Sequence, residues 1–202
     1  MAGSSPDIVP SDVIAGVVIV RPLAHVDDRG RFAETYRRSW FPEGSEMLQG
    51  SRSDKVAGSL VGIHYHLHQA DYWYVMRGTA RVVLHDLREG SPTDGATLTF
   101  DIGDGDVGDG RECGVYIPPG VGHGFAALTD VTLTYLVDHY YSPEDELGVA
   151  WDDPQIAADW GLTHPILSER DQTNPLRADI PPGKRPLLGP PAPPIPDPAL
   201  EL

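Results

Sequence analysis

The feature that most restricts the fold of this 202-residue chain is a succession of short β-branched and aromatic runs, each ended by turn residues. The 22 glycines and 20 prolines supply the positive and fixed φ angles that tight turns need. Many short strands at this spacing are typical of an antiparallel sandwich or a closed barrel. We predict strands over residues 16–20, 31–36, 47–52, 60–66, 72–76, 80–85, 98–101, 114–117 and 131–139.

The two ends of the chain have a different texture. Residues 1–12 contain Ser, Pro and Asp without periodicity and predict a flexible leader. Residues 154–160 predict a short helix with Ile156, Ala157 and Trp160 on one side. Nine of the 20 prolines fall between Pro181 and Pro198, so residues 179–202 predict a Pro-rich tail outside the core. One domain is therefore expected over residues 13–178.

The net charge of −15 restricts the partners of this chain. A negative field repels nucleic acid and anionic membranes, so we expect neither as a partner, and a phosphate-bearing ligand needs a local cluster of cations. The single cysteine, Cys113, excludes an intramolecular disulfide and favours a reducing, cytoplasmic location. The apolar stretch at 13–20 is too short to cross a membrane and has no basic residues before it, so we interpret it as a strand.

Histidines and a carboxylate are spaced so that they can meet. His64 and His66 are two residues apart on a predicted strand, so their side chains share a face. Asp71 lies next to the following predicted strand, and Pro118-Pro119-Gly120 precedes His123. These spacings resemble the two cupin motifs, although cupins more often carry Glu at the position of Asp71. The resemblance implies an all-β, cupin-type jelly-roll barrel (a double-stranded β-helix) with this set at its mouth.

The same four residues offer one interpretation of the chemistry. Imidazole with carboxylate suits Fe(II), Mn(II), Ni(II), Cu(II) or Zn(II), and the residue types do not choose among them. The alternative cofactor is therefore a divalent transition metal held by His64, His66, Asp71 and His123. We interpret four other histidines as solvated or hydrogen-bonded residues without a functional role: His68, His85, His139 and His164.

A closer resemblance covers about residues 17–176, where the chain resembles the dTDP-4-dehydrorhamnose 3,5-epimerase family. The matching stretches keep the family's order along the chain. They are Asp28-Arg29-Gly30-Arg31-Phe32-Ala33-Glu34, Gln49-Gly50-Ser51-Arg52-Ser53, Gly62-Ile63-His64-Tyr65, residues 87–93 and 117–125, Tyr135 with Tyr140-Tyr141-Ser142-Pro143, Trp151-Asp152-Asp153-Pro154, and Leu167-Ser168-Glu169-Arg170-Asp171.

The resemblance implies a reaction at carbons beside the C4 ketone of a 4-keto-6-deoxyhexose carried on dTDP. Such a reaction needs a base, an acid on the opposite face of the ring and a group that stabilises the enolate oxygen. By resemblance His64 is the base, Asp171 its partner and Tyr135 the acid. Because side chains move every proton, no cofactor is implied. The substrate contacts implied by the resemblance are His123, Arg29, Glu34, Gln49 and Tyr140, of which Arg29 and Glu34 reach into the neighbouring subunit of a homodimer.

Three positions depart from the family pattern. Val61 stands where the family usually has Arg, His66 where it has Gln, and Asp71 where it has Lys. Two cations are lost, and a bare carboxylate beside a developing enolate would raise the barrier. A bound divalent cation would reverse that effect, but an imidazole nitrogen on a metal cannot also be the base.

Three hypotheses follow from the sequence. The first is a 3- or 3,5-epimerase acting on a dTDP-4-keto-6-deoxyhexose in deoxysugar biosynthesis. The second is a metal-dependent cupin enzyme acting on a small metabolite. The third is a sugar-binding cupin without catalytic activity.

Overall fold

The computed structural model describes residues 5–41, 46–104 and 112–189. Within these ranges the chain is nearly all-β. Its thirteen strands are β1 (Asp7–Pro10), β2 (Val18–Arg21), β3 (Ala24–Asp27), β4 (Gly30–Ala33), β5 (Gln49–Lys55), β6 (Leu60–Tyr65), β7 (Asp71–Arg77), β8 (Thr79–Asp86), β9 (Thr97–Gly103), β10 (Gly114–Ile117), β11 (Val121–Ala127), β12 (Val131–Val137) and β13 (Leu147–Gly148).

The strands form two antiparallel sheets. The six-stranded sheet has the order β1-β2-β10-β7-β12-β5, and the five-stranded sheet has the order β13-β6-β11-β8-β9. From β5 onward most connections cross from one sheet to the other, which is the connectivity of a jelly roll. The predicted all-β, cupin-type jelly roll is confirmed. Strands β3 and β4 form a separate two-stranded hairpin.

The core lies between the two sheets and follows the alternation of each strand. On β8, Ala80, Val82 and Leu84 join the cluster inside the barrel, whereas Val83 joins a second cluster on the outer face of the five-stranded sheet. The chain after β13 covers that outer face with Ile156, Trp160 and Ile180, among others. A third, largely aromatic cluster covers the outer face of the six-stranded sheet.

Four strands were not predicted: β1, β3, β11 and the two-residue β13. Strand β11 contains two glycines and two alanines, which give little β signal, but all seven of its residues are buried. A Cβ on Gly124 would lie 2.7 Å from the carbonyl oxygen of Val61, so close packing explains that glycine. Strand β1 lies within the predicted flexible leader, and that part of the prediction is wrong. Its four exposed residues pair with β2 through the backbone and leave no apolar pattern in the sequence.

The C-terminal region also differs from expectation. No helix forms at 154–160, because Ala157 has a φ of 49° and the segment runs as turns. The carboxylate of Asp153 accepts hydrogen bonds from the backbone N–H groups of Gln155 and Arg177, which fixes those turns. The helical segments of the described residues are three 3-10 turns, Arg38–Trp40, Arg177–Asp179 and Pro182–Lys184, of which the last two lie in this region.

The start of the predicted Pro-rich tail packs against the barrel. Ile180 is 4% exposed, and the hydroxyl of Tyr65 donates to the carbonyl of Lys184. Backbone hydrogen bonds between Glu89 and both Pro186 and Leu188 hold the following residues against the barrel, although most of their side chains are exposed. Residues 190–202 lie outside the described residues. Among the described residues, no helix has the length and apolar character needed to cross a membrane.

Candidate active site

A cavity of about 270 Å³ is lined by residues of both sheets. The five-stranded sheet supplies Val61, His64, His123 and Phe125. The six-stranded sheet supplies Ser53, Lys55, Asp71, Trp73, Leu133 and Tyr135. Connecting segments add His66, Gln69, Glu146 and Arg170. Four of these residues were predicted as a cluster at the barrel mouth, and the structure brings all four to one cavity.

His64 is paired with the carboxylate predicted to be its partner. Its Nε2 lies 2.6 Å from Oδ1 of Asp171, a residue 107 positions away and 3% exposed. Burial opposes ionisation of Asp171, but hydrogen bonds from His64, the Ser168 hydroxyl and the Gly62 N–H outweigh it and lower the pKa of Asp171. An ionised Asp171 keeps the imidazole proton on Nε2, so Nδ1 of His64 is free to accept one.

The backbone before His64 sets its position. Gly62 has a φ of 113°, and a Cβ there would lie 2.7 Å from both the Cα of Gly124 and the carbonyl oxygen of His123. This close approach of β6 and β11 places His64 directly opposite His123 in the strand register. The glycine of the sequence motif is thus explained by packing beneath the site.

Tyr135 lies on β12 in the opposite sheet. It alternates with Leu133, and both side chains line the cavity. Its ring is half-buried and packs at the edge of the barrel core. The candidate base and the candidate acid therefore come from opposite sheets and line the same cavity. Inversion of a carbon needs a base and an acid on opposite faces of that carbon, and this arrangement can provide them.

Three of the four predicted metal ligands come close together. The candidate donor atoms of His66, Asp71 and His123 all lie within 4.8 Å of one another. Each imidazole Nε2 is 3.9 Å from an oxygen of Asp71. His64 differs, because its Nε2 is occupied by Asp171. The structure thus separates His64 from the other three, although all four line one cavity.

A hydrogen bond from Nδ1 fixes the orientation of each imidazole ring in this cluster. Nδ1 of His66 donates to the Asp145 carbonyl at 2.8 Å, and Nδ1 of His123 donates to the Val121 carbonyl at 3.0 Å. Burial, more than the neighbouring His66, lowers the pKa of His123 to about 4 against the opposing charge of Asp71. His123 is therefore neutral near pH 7.

The other predicted substrate contacts do not reach this cavity within the described chain. Arg29 forms an ion pair with Asp27 on the exposed β3–β4 hairpin, and Glu34 forms an ion pair with Arg37. Their places in this subunit are consistent with a role outside its own cavity. Gln49 accepts a hydrogen bond from the Tyr141 N–H, and Tyr140 is half-buried nearby.

The sequence interpretation missed several residues that line the cavity. Lys55 continues the alternation of Ser51 and Ser53 on β5, so extending that pattern by two residues would have found it. Trp73 shares a face with Asp71 by the same rule. Arg170 carries no comparable signal, because only the fold brings its segment beside β6.

The barrel, with an imidazole–carboxylate pair on one sheet and a phenol on the other, defines a jelly-roll protein equipped for acid–base chemistry. Comparison with known proteins makes the class specific. The family described as dTDP-4-dehydrorhamnose 3,5-epimerase matches residues 11–179.

Individual proteins agree with the family match. A dTDP-4-dehydrorhamnose 3,5-epimerase of Methanothermobacter thermautotrophicus is 36% identical over 172 residues, which are 80% of this chain and 90% of the relative. A dTDP-4-dehydrorhamnose 3-epimerase of Streptomyces niveus is 37% identical over 177 residues, which are 82% of each chain. The crystal structure of NovW, a 4-keto-6-deoxy sugar epimerase of Streptomyces spheroides, superposes with a TM-score of 0.83 at 35% identity, covering 92% of this chain and 95% of NovW. The chain belongs to the dTDP-4-dehydrorhamnose 3,5-epimerase family.

Proposed function

We propose that this protein epimerises carbons beside the ketone of a dTDP-4-keto-6-deoxyhexose in deoxysugar biosynthesis. The observation that carries the proposal is the His64–Asp171 pair, which lines one cavity together with Tyr135 from the opposite sheet. Family membership supports the substrate class. Relatives that invert one centre and relatives that invert two are both similar to this chain, so the number of centres is an outcome of the test below.

The proposed proton transfers use side chains alone. Nδ1 of His64 takes the proton from C3 or C5, the C–H electron pair forms the C=C bond of the enolate, and the carbonyl π pair moves to the C4 oxygen. The Tyr135 hydroxyl then gives a proton to the opposite face of the carbon, and the carbonyl re-forms. The net change is an inversion, and exchange of the His64 and Tyr135 protons with solvent resets the site. Acid–base catalysis of this kind contributes ~10²–10⁴-fold to the rate.

Two cations support binding of the diphosphate. Lys55 and Arg170 both line the cavity, and the guanidinium of Arg170 is held 3.2 Å from Glu146. In a chain of net charge −15, these are the Lys and Arg side chains that the cavity lining offers to a nucleotide diphosphate, and Arg170 shares its charge with Glu146. The family usually has an arginine at the position of Val61. We assign to Lys55 and Arg170 the role of binding the diphosphate in place of that arginine.

The β3–β4 hairpin supports the predicted homodimer. Val26 and Phe32 are 66% and 68% exposed, although large apolar side chains are usually covered. The hairpin also carries Arg29, and Glu34 follows directly after it. In the proposed dimer this hairpin packs on the partner subunit and completes the partner's nucleotide site.

The catalytic proposal is tested by following solvent deuterium into a dTDP-4-keto-6-deoxyhexose by NMR. The wild-type protein is expected to label C3, or both C3 and C5, and the labelled positions identify the centres that react. His64→Asn should slow exchange by at least ~10²-fold. The matched control is His68→Asn, because His68 is exposed four residues away and does not line the cavity.

Two results would contradict the proposal. Correctly folded wild-type protein that labels neither carbon, with a panel of such sugars, is not an epimerase of this type. Tight binding of the sugar nucleotide without exchange, unaffected by Tyr135→Phe, would favour the sugar-binding hypothesis instead.

The dimer is tested separately by light scattering. Wild-type protein is expected to have twice the mass of one chain, and Phe32→Asp should shift it toward the monomer. Leu188→Asp, an equally apolar-to-charged change at an exposed residue away from the hairpin, should leave the mass unchanged. A monomeric wild-type protein would contradict the assembly and leave the catalytic proposal standing.

A further inference from the structure

The cluster of His66, Asp71 and His123 has the form of a ligand set. All three side chains are buried, and their candidate donor atoms lie within 4.8 Å of one another at the cavity wall. The three come from β7, β11 and the segment after β6, so they converge on the cavity from three elements of the fold. We propose that this cluster binds one divalent transition-metal ion through Nε2 of His66, Nε2 of His123 and the carboxylate of Asp71.

The hydrogen bonds behind the two imidazoles support this assignment. Each Nδ1 is within 3.0 Å of a backbone carbonyl, which accepts but cannot donate, so each ring carries its proton on Nδ1. The lone pair of each Nε2 then faces Asp71. A hydrogen bond from Nδ1 to a carbonyl is the usual second contact of a histidine that ligates a metal.

The carboxylate is oriented in the same way. Oδ1 of Asp71 accepts a hydrogen bond from the Gln69 amide at 2.8 Å, and Oδ2 accepts one from the Trp73 indole at 3.0 Å. The remaining lone pairs of Asp71 are available to the cavity. Asp71 is 4% exposed. Among the described residues, its ionisable neighbours at 3.9 Å are the imidazoles of His66 and His123.

The spacing leaves room for an ion. At 3.9 Å, neither Nε2 is within hydrogen-bonding distance of the carboxylate. A metal ion bound at about 2.0–2.2 Å needs its ligand atoms roughly 3.0–3.5 Å apart, so each ligand would move inward by less than about 1 Å.

The ligand types define the class of ion. Two imidazoles and one carboxylate suit first-row divalent transition metals and zinc, whereas Mg²⁺ and Ca²⁺ prefer oxygen ligands alone. Three protein ligands also leave coordination positions open on the cavity side. A ketone oxygen in the cavity could fill one of them.

The role of the ion rests on the proposed function. Removing a proton beside the ketone places negative charge on the C4 oxygen, and Asp71 alone would oppose that charge. The bound cation would stabilise it as a Lewis acid, while the proton moves to Nδ1 of His64 and no electron is gained or lost. Because Nε2 of His64 is held by Asp171, the base and the metal ligands are different residues, and the two functions do not compete.

The test measures metal directly. Full-length protein without a histidine tag is purified, its metal content is measured by plasma mass spectrometry, and the chelated protein is titrated with Zn²⁺, Mn²⁺, Co²⁺ and Ni²⁺. About one ion per chain is expected to bind, and Co²⁺ should give the absorption bands of a nitrogen- and oxygen-ligated site. His66→Ala, Asp71→Asn and His123→Ala should each weaken binding at least ~100-fold, and Trp73→Phe should weaken it ~10–100-fold.

Two variants separate this site from other arrangements. His64→Asn should retain the metal, since His64 is not in the proposed ligand set, and its loss of metal would instead support the four-residue set. His68→Ala, an exposed histidine two residues from His66, should bind metal as the wild type does. Circular dichroism of the chelated variants distinguishes a lost ligand from a lost fold.

The metal inference and the proposed function can fail independently. Protein that binds none of the four ions would overturn the metal site and leave the epimerase intact. Exchange of substrate protons at an undiminished rate after chelation would overturn the Lewis-acid role of the ion. A bound metal with no exchange at either carbon would overturn the epimerase and leave the metal site.

Discussion

His64 and His66 are only two residues apart, but their imidazoles contact different groups and therefore have different chemical properties. Nε2 of His64 contacts the ionised carboxylate of Asp171, which keeps the ring proton on Nε2 and leaves the lone pair of Nδ1 to accept a proton. Nδ1 of His66 contacts the neutral carbonyl of Asp145, which fixes a tautomer without adding charge. The first arrangement suits a base, and the second suits a ligand.

At this scale, Asp171→Asn tests the base. An amide cannot stabilise the imidazolium and holds the ring in the wrong tautomer, so kcat for proton exchange should fall by ~10²–10⁴-fold. The measurement is deuterium wash-in under saturating substrate. Glu169→Gln, a nearby exposed carboxylate, is the control, and a wild-type rate for Asp171→Asn would remove Asp171 from the mechanism.

A second residue-scale prediction concerns the glycine beneath the base. Gly62→Ala places a Cβ 2.7 Å from backbone atoms at a φ of 113°, so it should lower the free energy of unfolding by at least ~2 kcal/mol. Gly90→Ala is the matched control, because Gly90 also has a positive φ but no atom within 4 Å of its Cβ position. Its loss should be ~1–2 kcal/mol. Urea unfolding measures the free energy of unfolding of both variants. Equal losses would show that the close approach of β6 and β11 does not add to the cost of the Gly62 substitution.

At the scale of elements, a buried ion pair fixes the connection from β8 to β9. Asp86 is fully buried and accepts hydrogen bonds from the Arg88 guanidinium and the hydroxyls of Ser91 and Thr93. Arg88 also donates to the carbonyl of Ala15, which ties this connection to the start of the barrel. Burial raises the pKa of Asp86, but these hydrogen bonds outweigh it and lower the pKa to about 2.

The lowered pKa predicts how stability depends on pH. The Asp86 pKa of about 2 in the folded protein lies below the ordinary value of 3.8. The stabilisation is therefore fully present above about pH 4 and is lost as pH falls toward 2, with a total of about 2 kcal/mol. The free energy of unfolding in urea, measured from pH 6 to pH 2, gives this slope.

The matched variant isolates the contribution of this one group. Asp86→Asn should be less stable than the wild type at pH 6, and the difference between the two proteins should shrink below pH 4. A difference that stays constant down to pH 2 would mean that Asp86 does not titrate in this range, since the other carboxylates are common to both proteins.

At the scale of the whole molecule, the chain after β13 both covers the barrel and completes the site. Its apolar residues form the outer layer of the five-stranded sheet, and the same segment carries Asp171 to His64. Loosening this layer should therefore affect both stability and catalysis.

Ile180 tests the contribution of this layer to stability at the far end of the segment. Ile180→Ala removes a side chain that is 4% exposed and should lower the free energy of unfolding by ~2–4 kcal/mol. Leu188→Ala, at a residue that is 51% exposed, should change it by less than ~0.5 kcal/mol. Thermal and urea unfolding measure both. Equal, small effects would show that the segment after residue 179 is not part of the folded core.

The sequence predicted the features that rest on local pattern. Alternation on strands such as β8 and turn clusters between them predicted the all-β class, and the resemblance around His64 and His123 predicted the family. It missed β11, whose glycines are explained by a close approach across the sheet, and β1, which pairs only through its backbone. It also predicted a helix at 154–160 that the carboxylate of Asp153 and the positive φ of Ala157 replace with turns.

By itself, then, the sequence determined the barrel and the residue types at its mouth, because strand alternation and motif spacing act over a few residues. Only the tertiary structure decided what those residues do. Asp171 lies 107 residues from His64, and Asp145 lies 79 residues from His66, so no local pattern shows which group each imidazole contacts. That contact assigns the proton within each ring, and it separates a candidate base from a candidate metal ligand at the same cavity.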